Sequence, residues 1–113
     1  MTFKNLLAVT IFGFADCPPG DPLYRETVEV TRMIAESGLE VVNGGGPGVM
    51  RAATEGAHEG GGVASVATFY PKFIENFEGK DPQNKADKEI IMNNYVDRTM
   101  KLLELGYAYV IFN

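Results

Sequence analysis

Between Val41 and Gly62 the sequence runs VVNGGGPGVMRAATEGAHEGGG. A β-branched run enters three consecutive glycines, and three more follow a stretch that places Met50, Ala53 and Ala57 on one helical face. Glycine weakens the interior of a helix or strand by about 0.5–1 kcal/mol, so clusters of it punctuate rather than fill an element. The block therefore reads as strand, turn, helix, turn. That pattern forces a crossover architecture on whatever surrounds it.

The remainder supplies the matching parts. LLAVTIFGFA, Leu6–Ala15, is a short apolar run of strand formers, read as a buried strand and broken by DCPPGDP. From Leu23 the period turns helical: Leu23, Thr27, Val30 and Ile34 share a face, Asp21 stands where an N-cap would, and Pro22 takes the first position. Gly38 closes that helix, and LEVVN, Leu39–Asn43, is the second strand. VASVATF, Val63–Phe69, is the third. Tyr70 to about Asp87 carries Pro71, Gly79 and Pro82 and reads as an irregular loop or lid. A third helix is expected from about Lys88 to Leu105, with Met92, Val96, Thr99 and Leu103 as its buried stripe and Asn94, Arg98 and Lys101 as a polar stripe beside it. Gly106 stops it before a last strand, YAYVIFN. Strands alternating with helices predict an α/β, Rossmann-like, three-layer domain over residues 1–113, with a parallel sheet of about four strands.

The chain has 113 residues, a formal net charge of -5 and one cysteine. Its length suits one small domain. The acidic balance argues against a nucleic-acid-coating role, because no basic field gathers phosphates. The lone Cys17 excludes an internal disulfide and fits a reducing, cytoplasmic setting. The apolar run near the N-terminus is too short to span a membrane. One His, one Cys and no clustered carboxylates give no metal-ligand set, so no metal is expected.

The first glycine cluster, Gly44, Gly45, Gly46 and Gly48, lies between a strand and a helix. It either makes a tight turn with close helix–sheet packing, or lets a ligand phosphate approach the backbone N–H groups at the helix start. Val49 and Met50 would offer those groups. Gly60–Gly62 needs only a helix cap and a turn. The spacing is neither the dinucleotide fingerprint, which follows the first strand, nor a P-loop, which needs Gly-Lys-Ser/Thr. Gly13 and the Asp16–Cys17 turn fall at the C-terminal end of the first strand, where such sheets bind ligands. As a nucleophile Cys17 would need His58, which lies near the far end of the second helix and reads as a surface residue. Asp81 and Asp87 read as solvated loop charges.

Three blocks, IFGFADCPPGDPLYRETVEVTRMIAESGLEVVNGGG, GGGPGVMRAATEGAHEGGG and MNNYVDRTMKLLELGYAYVIFN, resemble LONELY GUY-type proteins, long labelled as lysine decarboxylases. The resemblance covers nearly the whole chain. It implies a Rossmann-like homodimer that binds a nucleoside 5′-monophosphate, AMP-like, and needs no cofactor. Many members hydrolyse the N-glycosidic bond to free base and ribose 5-phosphate; molybdenum-cofactor carrier relatives bind without that hydrolysis. The family's second signature, PGGxGTxxE, begins at the end of the last strand, and Asn113 falls at the position of its proline. The resemblance thus implies a longer domain, whose further part carries the phosphate-cradling loop and the catalytic glutamate. Residues 1–113 alone are then expected to lack hydrolase activity, unless Glu89 or Asp97 supplies the carboxylate, and to self-associate through the open edge of the last strand.

Hydrolysis of an N-glycoside passes through an oxocarbenium-like state and requires a carboxylate. By resemblance, Arg98 is the arginine that aligns this carboxylate or binds substrate. From spacing alone it equally fits a solvated helix arginine paired with Asp97 or Glu104. Met92 and Thr99 would then lie along the base or ribose side, Met92 fitting a core position as well.

Overall fold

The computed structural model describes residues 7–71 and 80–113. Eight elements follow in the order β1 (Ala8–Gly13), α1 (Pro22–Glu36), β2 (Glu40–Asn43), α2 (Val49–Glu59), β3 (Ala64–Phe69), β4 (Lys88–Met92), α3 (Tyr95–Leu105) and β5 (Ala108–Phe112). The five strands form one sheet in the order β4-β3-β2-β1-β5, and every neighbouring pair is parallel. This is the three-layer Rossmann-like architecture expected from the alternation of apolar runs with helical periods.

The local rules act where the sequence places them. Asp21 accepts the Leu23 N–H at 2.9 Å and caps α1, and Pro22 occupies its first turn. Gly38, at φ 88°, takes the left-handed position just past the end of α1. α1 packs along α2 on one face of the sheet, and α3 lies on the other. Val9, Ile11 and Val41 point to the α1/α2 side with Val49, Ala53 and Ala57, while Ala8, Val42 and Ala67 meet Leu102 of α3. Ile11, Val41, Val49 and Val66 are fully buried, each worth about 1.5–3 kcal/mol of transfer free energy. The close α1–α2 crossing depends on small residues. A Cβ on Gly56 would sit 1.9 Å from Thr31 Oγ1, and one on Gly60 would sit 2.5 Å from the Arg32 carbonyl oxygen. Gly60 is thus packed against α1 besides ending α2, a role beyond the cap and turn expected of it.

Two expectations are corrected. The segment from Lys88 does not begin a helix. Lys88–Met92 pairs with β3, Ser65 against Lys88 through to Phe69 against Met92, and makes the sheet five-stranded. The helix starts only after Asn94, whose side-chain oxygen accepts the Asp97 N–H at 2.8 Å. The physical reason is local: Ile90 and Ile91 favour strand, and the Asn93-Asn94 pair supplies the break and the cap. The stripe on α3 is therefore shifted. Val96 is 68% exposed and Leu103 41%, whereas Leu102 is buried and Arg98 half-buried against the sheet. The irregular stretch expected from Tyr70 lies partly outside the described residues, at 72–79. Its end, residues 80–87, has no regular structure but is tied to the glycine loop, as described below.

Candidate functional site

Parallel strands leave their C-terminal ends at one edge of the layer, where the connecting turns meet. Here the ends of β1 and β3, the glycine loop after β2, the start of α2 and the first turn of α3 enclose an open-sided cavity of about 410 Å³. Gly13, Gly44, Met50 and Arg98 line it, as do Phe12, Phe69 and Tyr95, three aromatic residues that the sequence did not mark as site residues. A volume of this size is in the range of small-molecule sites.

Arg98 is placed by α3, one turn past the Asn94 cap. Its Nε donates to the Ala67 carbonyl at 3.1 Å and its Nη2 to the Gly44 carbonyl at 3.1 Å. The Met50 sulfur lies 3.6 Å from Nη2, and the Tyr95 ring centroid lies 5.4 Å from the guanidinium carbon. Pairing with Asp97 or Glu104 is not what holds it: Asp97 bonds Asn94, and Glu104 pairs with Lys101. Among the described residues no carboxylate forms an ion pair with Arg98. Burial pushes its pKa down, opposed by Tyr95, yet a guanidinium stays charged at any ordinary pH. The result is a half-buried cation anchored by two backbone carbonyls, with the Tyr95 side chain against it.

The glycines around it are dictated by close approach. A Cβ on Gly44 would stand 1.8 Å from Arg98 Nη2, and one on Gly13 would stand 2.5 Å from Val49 Cγ1. Gly48, at φ 67°, passes so close to β1 that a Cβ would lie 2.4 Å from the Phe14 carbonyl oxygen. Gly45 and Gly46 do not line the cavity. The Val49 N–H donates to the Phe14 carbonyl at 3.0 Å, which removes it as a ligand donor. The Met50 N–H is then the first group at the α2 start without a backbone acceptor among the described residues.

The other expected site residues fall outside this cavity. Asp16 and Cys17 line a separate cleft with Gly48 and Arg51. Cys17 is buried against Tyr24 and Ala52, and burial, then Asp21, pushes its thiol pKa up, the opposite of an activated nucleophile. Met92 ends β4 opposite Phe69. Thr99 buries a hydroxyl oxygen that has no partner among the described residues. Asp87 is an exposed loop charge that is also tied down: it accepts the Ala64 N–H at 2.8 Å and meets His58 Nε2 at 2.9 Å. Those two bonds, the backbone one first, lower its pKa. Glu89 accepts from the Thr68 hydroxyl at 2.6 Å and from Tyr70, which hold it ionised below the usual carboxylate range. Thr68 lines the cavity, so Glu89 stands one hydrogen bond behind its wall.

Sequence reasoning missed a buried polar cluster. Asn43 Nδ2 donates to Thr54 Oγ1 at 2.9 Å, and Thr54 Oγ1 donates to Asn84 Oδ1 at 2.6 Å. Asn84 Nδ2 donates to the Gly46 carbonyl at 2.9 Å, and Asn43 Oδ1 accepts the Gly45 N–H at 2.8 Å. The only available signal was Asn43, a polar residue closing an apolar strand directly before glycines.

A parallel α/β sheet with a glycine loop and a half-buried cation at its C-terminal edge is the architecture of a Rossmann-type protein. The SLOG cluster4 family model matches residues 6–67, and the chain belongs to that family, within the LONELY GUY-like superfamily that its motifs resemble. No curated protein sequence matches at a significant level. Solved structures agree in fold. The molybdenum cofactor carrier protein of Chlamydomonas reinhardtii is 22% identical, with a TM-score of 0.70 over 94% of this chain and 62% of that one. The molybdenum cofactor binding protein of Rippkaea orientalis is 18% identical, with a TM-score of 0.71 over 93% and 61%. The protein TM1055 is 23% identical, with a TM-score of 0.68 over 92% and 59%. The chain thus spans about three fifths of the length of these relatives.

Proposed function

We propose that this chain binds a nucleoside 5′-monophosphate or a chemically similar phosphorylated heterocycle in the cavity above Arg98. The observation that carries the reading is the guanidinium itself: half-buried, fixed by the Gly44 and Ala67 carbonyls, and without a carboxylate partner among the described residues. Such a cation favours an anionic ligand, because partial burial strengthens the attraction while the carbonyl anchors preset the geometry. The Met50 N–H at the α2 start adds a second donor for negative charge. Phe12, Phe69 and Tyr95 supply flat apolar surface for a heterocycle.

The chemistry at the glycosidic bond needs a carboxylate near the ribose. None of the described residues lining the cavity is Asp or Glu. In this reading these residues bind and orient the ligand, and hydrolysis to base and ribose 5-phosphate requires a carboxylate brought by another segment or by a partner. The same absence of a lining carboxylate among the described residues favours a second reading, a carrier that binds a nucleotide or a molybdenum-cofactor-like ligand without cleaving it. Calorimetry with AMP on the wild type and on Arg98→Ala, with chromatography of free adenine, separates these cases. The proposal expects saturable AMP binding, weakened at least about tenfold in Arg98→Ala, as for loss of a charge-assisted bond. Adenine release would mark the enzyme, and binding without release the carrier. Wild-type protein that takes up no AMP contradicts the nucleotide reading.

A further inference from the structure

We infer that the Asn43–Thr54–Asn84 triad is a positioning device for the cavity, and that Asn84 is the clasp by which residues 80–84 set the glycine loop beneath Arg98. The functional weight of this inference rests on the nucleotide reading above; its structural part does not.

Asn84 is 1% exposed, Asn43 0% and Thr54 3%. Burying three polar side chains is costly unless each is satisfied, and here their bonds converge on one short backbone segment. Gly46 gives its carbonyl to Asn84 Nδ2, and Gly45 gives its N–H to Asn43 Oδ1. Gly45 also accepts the Asp81 N–H through its carbonyl at 2.9 Å. The next carbonyl back along the chain, that of Gly44, holds Arg98 Nη2. A continuous path of bonds therefore runs from Asn84 through Gly46 and Gly45 to the guanidinium.

A second path starts from the same segment. Lys80 Nζ donates to the Asn84 carbonyl at 3.2 Å and lies 3.8 Å from Glu89, which accepts from Thr68 in the cavity wall. Residues 80–84 thus grip the cavity from behind at the glycine loop and at β3. A tight turn alone would need none of this. Three glycines in a row are the least constrained backbone a chain can have, and a loop that presents one carbonyl to a guanidinium must be fixed by something else.

Hydrogen exchange and NMR on Thr54→Val, Thr54→Ser and Asn84→Ala test the triad without needing a ligand. Thr54→Val keeps the shape but removes the hydroxyl that bridges the two asparagines, leaving only the direct bond from Asn84 Nδ2 to Asn43 Oδ1 at 3.2 Å, whereas Thr54→Ser keeps the hydroxyl. The expected result is about tenfold faster exchange of the Gly45 amide and a shifted Arg98 Nε–H signal in Thr54→Val and Asn84→Ala, both restored in Thr54→Ser. AMP affinity should fall about tenfold in the first two and recover in the third. Folded variants in which the Gly45 and Arg98 signals match wild type would overturn the inference, as would changes spread equally over α1. If Asn84→Ala fails to fold, the Thr54 pair decides. If wild type binds no AMP while the Gly45 and Arg98 signals respond as expected, the nucleotide reading fails and the positioning role stands.

Discussion

Arg98 and Gly44 are a matched pair, because the space the guanidinium fills is the space a side chain at Gly44 would occupy. Gly44→Ala should therefore displace a flexible arginine tip rather than break the core. We expect the thermal midpoint to move by only a few degrees while AMP affinity drops about tenfold, read by calorimetry beside a melting curve. An equal affinity in both proteins would show that the carbonyl anchor is irrelevant to binding. Asp87 carries a different residue-scale expectation. The Ala64 N–H and His58 depress its folded pKa below the ordinary carboxylate value, as Thr68 and Tyr70 do for Glu89. Such groups stabilise the fold fully above the unfolded carboxylate pKa, about 4, and lose that contribution as pH falls through the folded value. Stability should accordingly decline as pH drops below about 4, and Asp87→Asn should decline less steeply in melts across that range. A slope unchanged in the variant would remove Asp87 from the account.

At the level of elements, the β4–α3 boundary shows why a sequence can suggest the right residues and the wrong structure. Met92, Val96, Thr99 and Leu103 fit a helical period, and nothing in the period itself forbids a helix from Lys88. The pairing of β4 with β3 and the Asn94 cap decide otherwise, and both act through contacts far along the chain or through one side chain. Asn94→Ala should cost about 1 kcal/mol in urea unfolding, the usual worth of an N-cap, whereas a helix that began at Lys88 would hardly notice the change. β1, β2, β3, β5 and α1 were legible because burial and caps agree with local propensity there. Arg98 was marked as polar by its spacing and as functional only by resemblance. The triad was out of reach, since Asn43, Thr54 and Asn84 are joined across 11 to 41 residues and no periodicity reports a hydrogen bond between a strand, a helix and a loop.

Across the whole molecule the two faces of the sheet are unequal. Among the described residues α1 and α2 cover one side, while α3 alone serves the other and turns Val96 and Met100 outward, 68% and 59% exposed. Tyr107 and Ile111 extend the apolar surface to β5, which forms one edge of the sheet, at 64% and 72% exposed. A surface of this kind, beside an open strand edge, calls for a covering partner. We expect concentration-dependent association in sedimentation velocity, diminished by the double change Val96→Lys and Met100→Lys; a monomer at all concentrations in both proteins would contradict this. The central claim concerns the cavity at the strand ends. Its most direct test is chemical-shift mapping of the labelled protein during an AMP titration. The account predicts saturable shifts concentrated at Gly13, Gly44, Met50, Tyr95 and Arg98. Shifts confined to the Cys17–Arg51 cleft, or none at millimolar AMP, would contradict it.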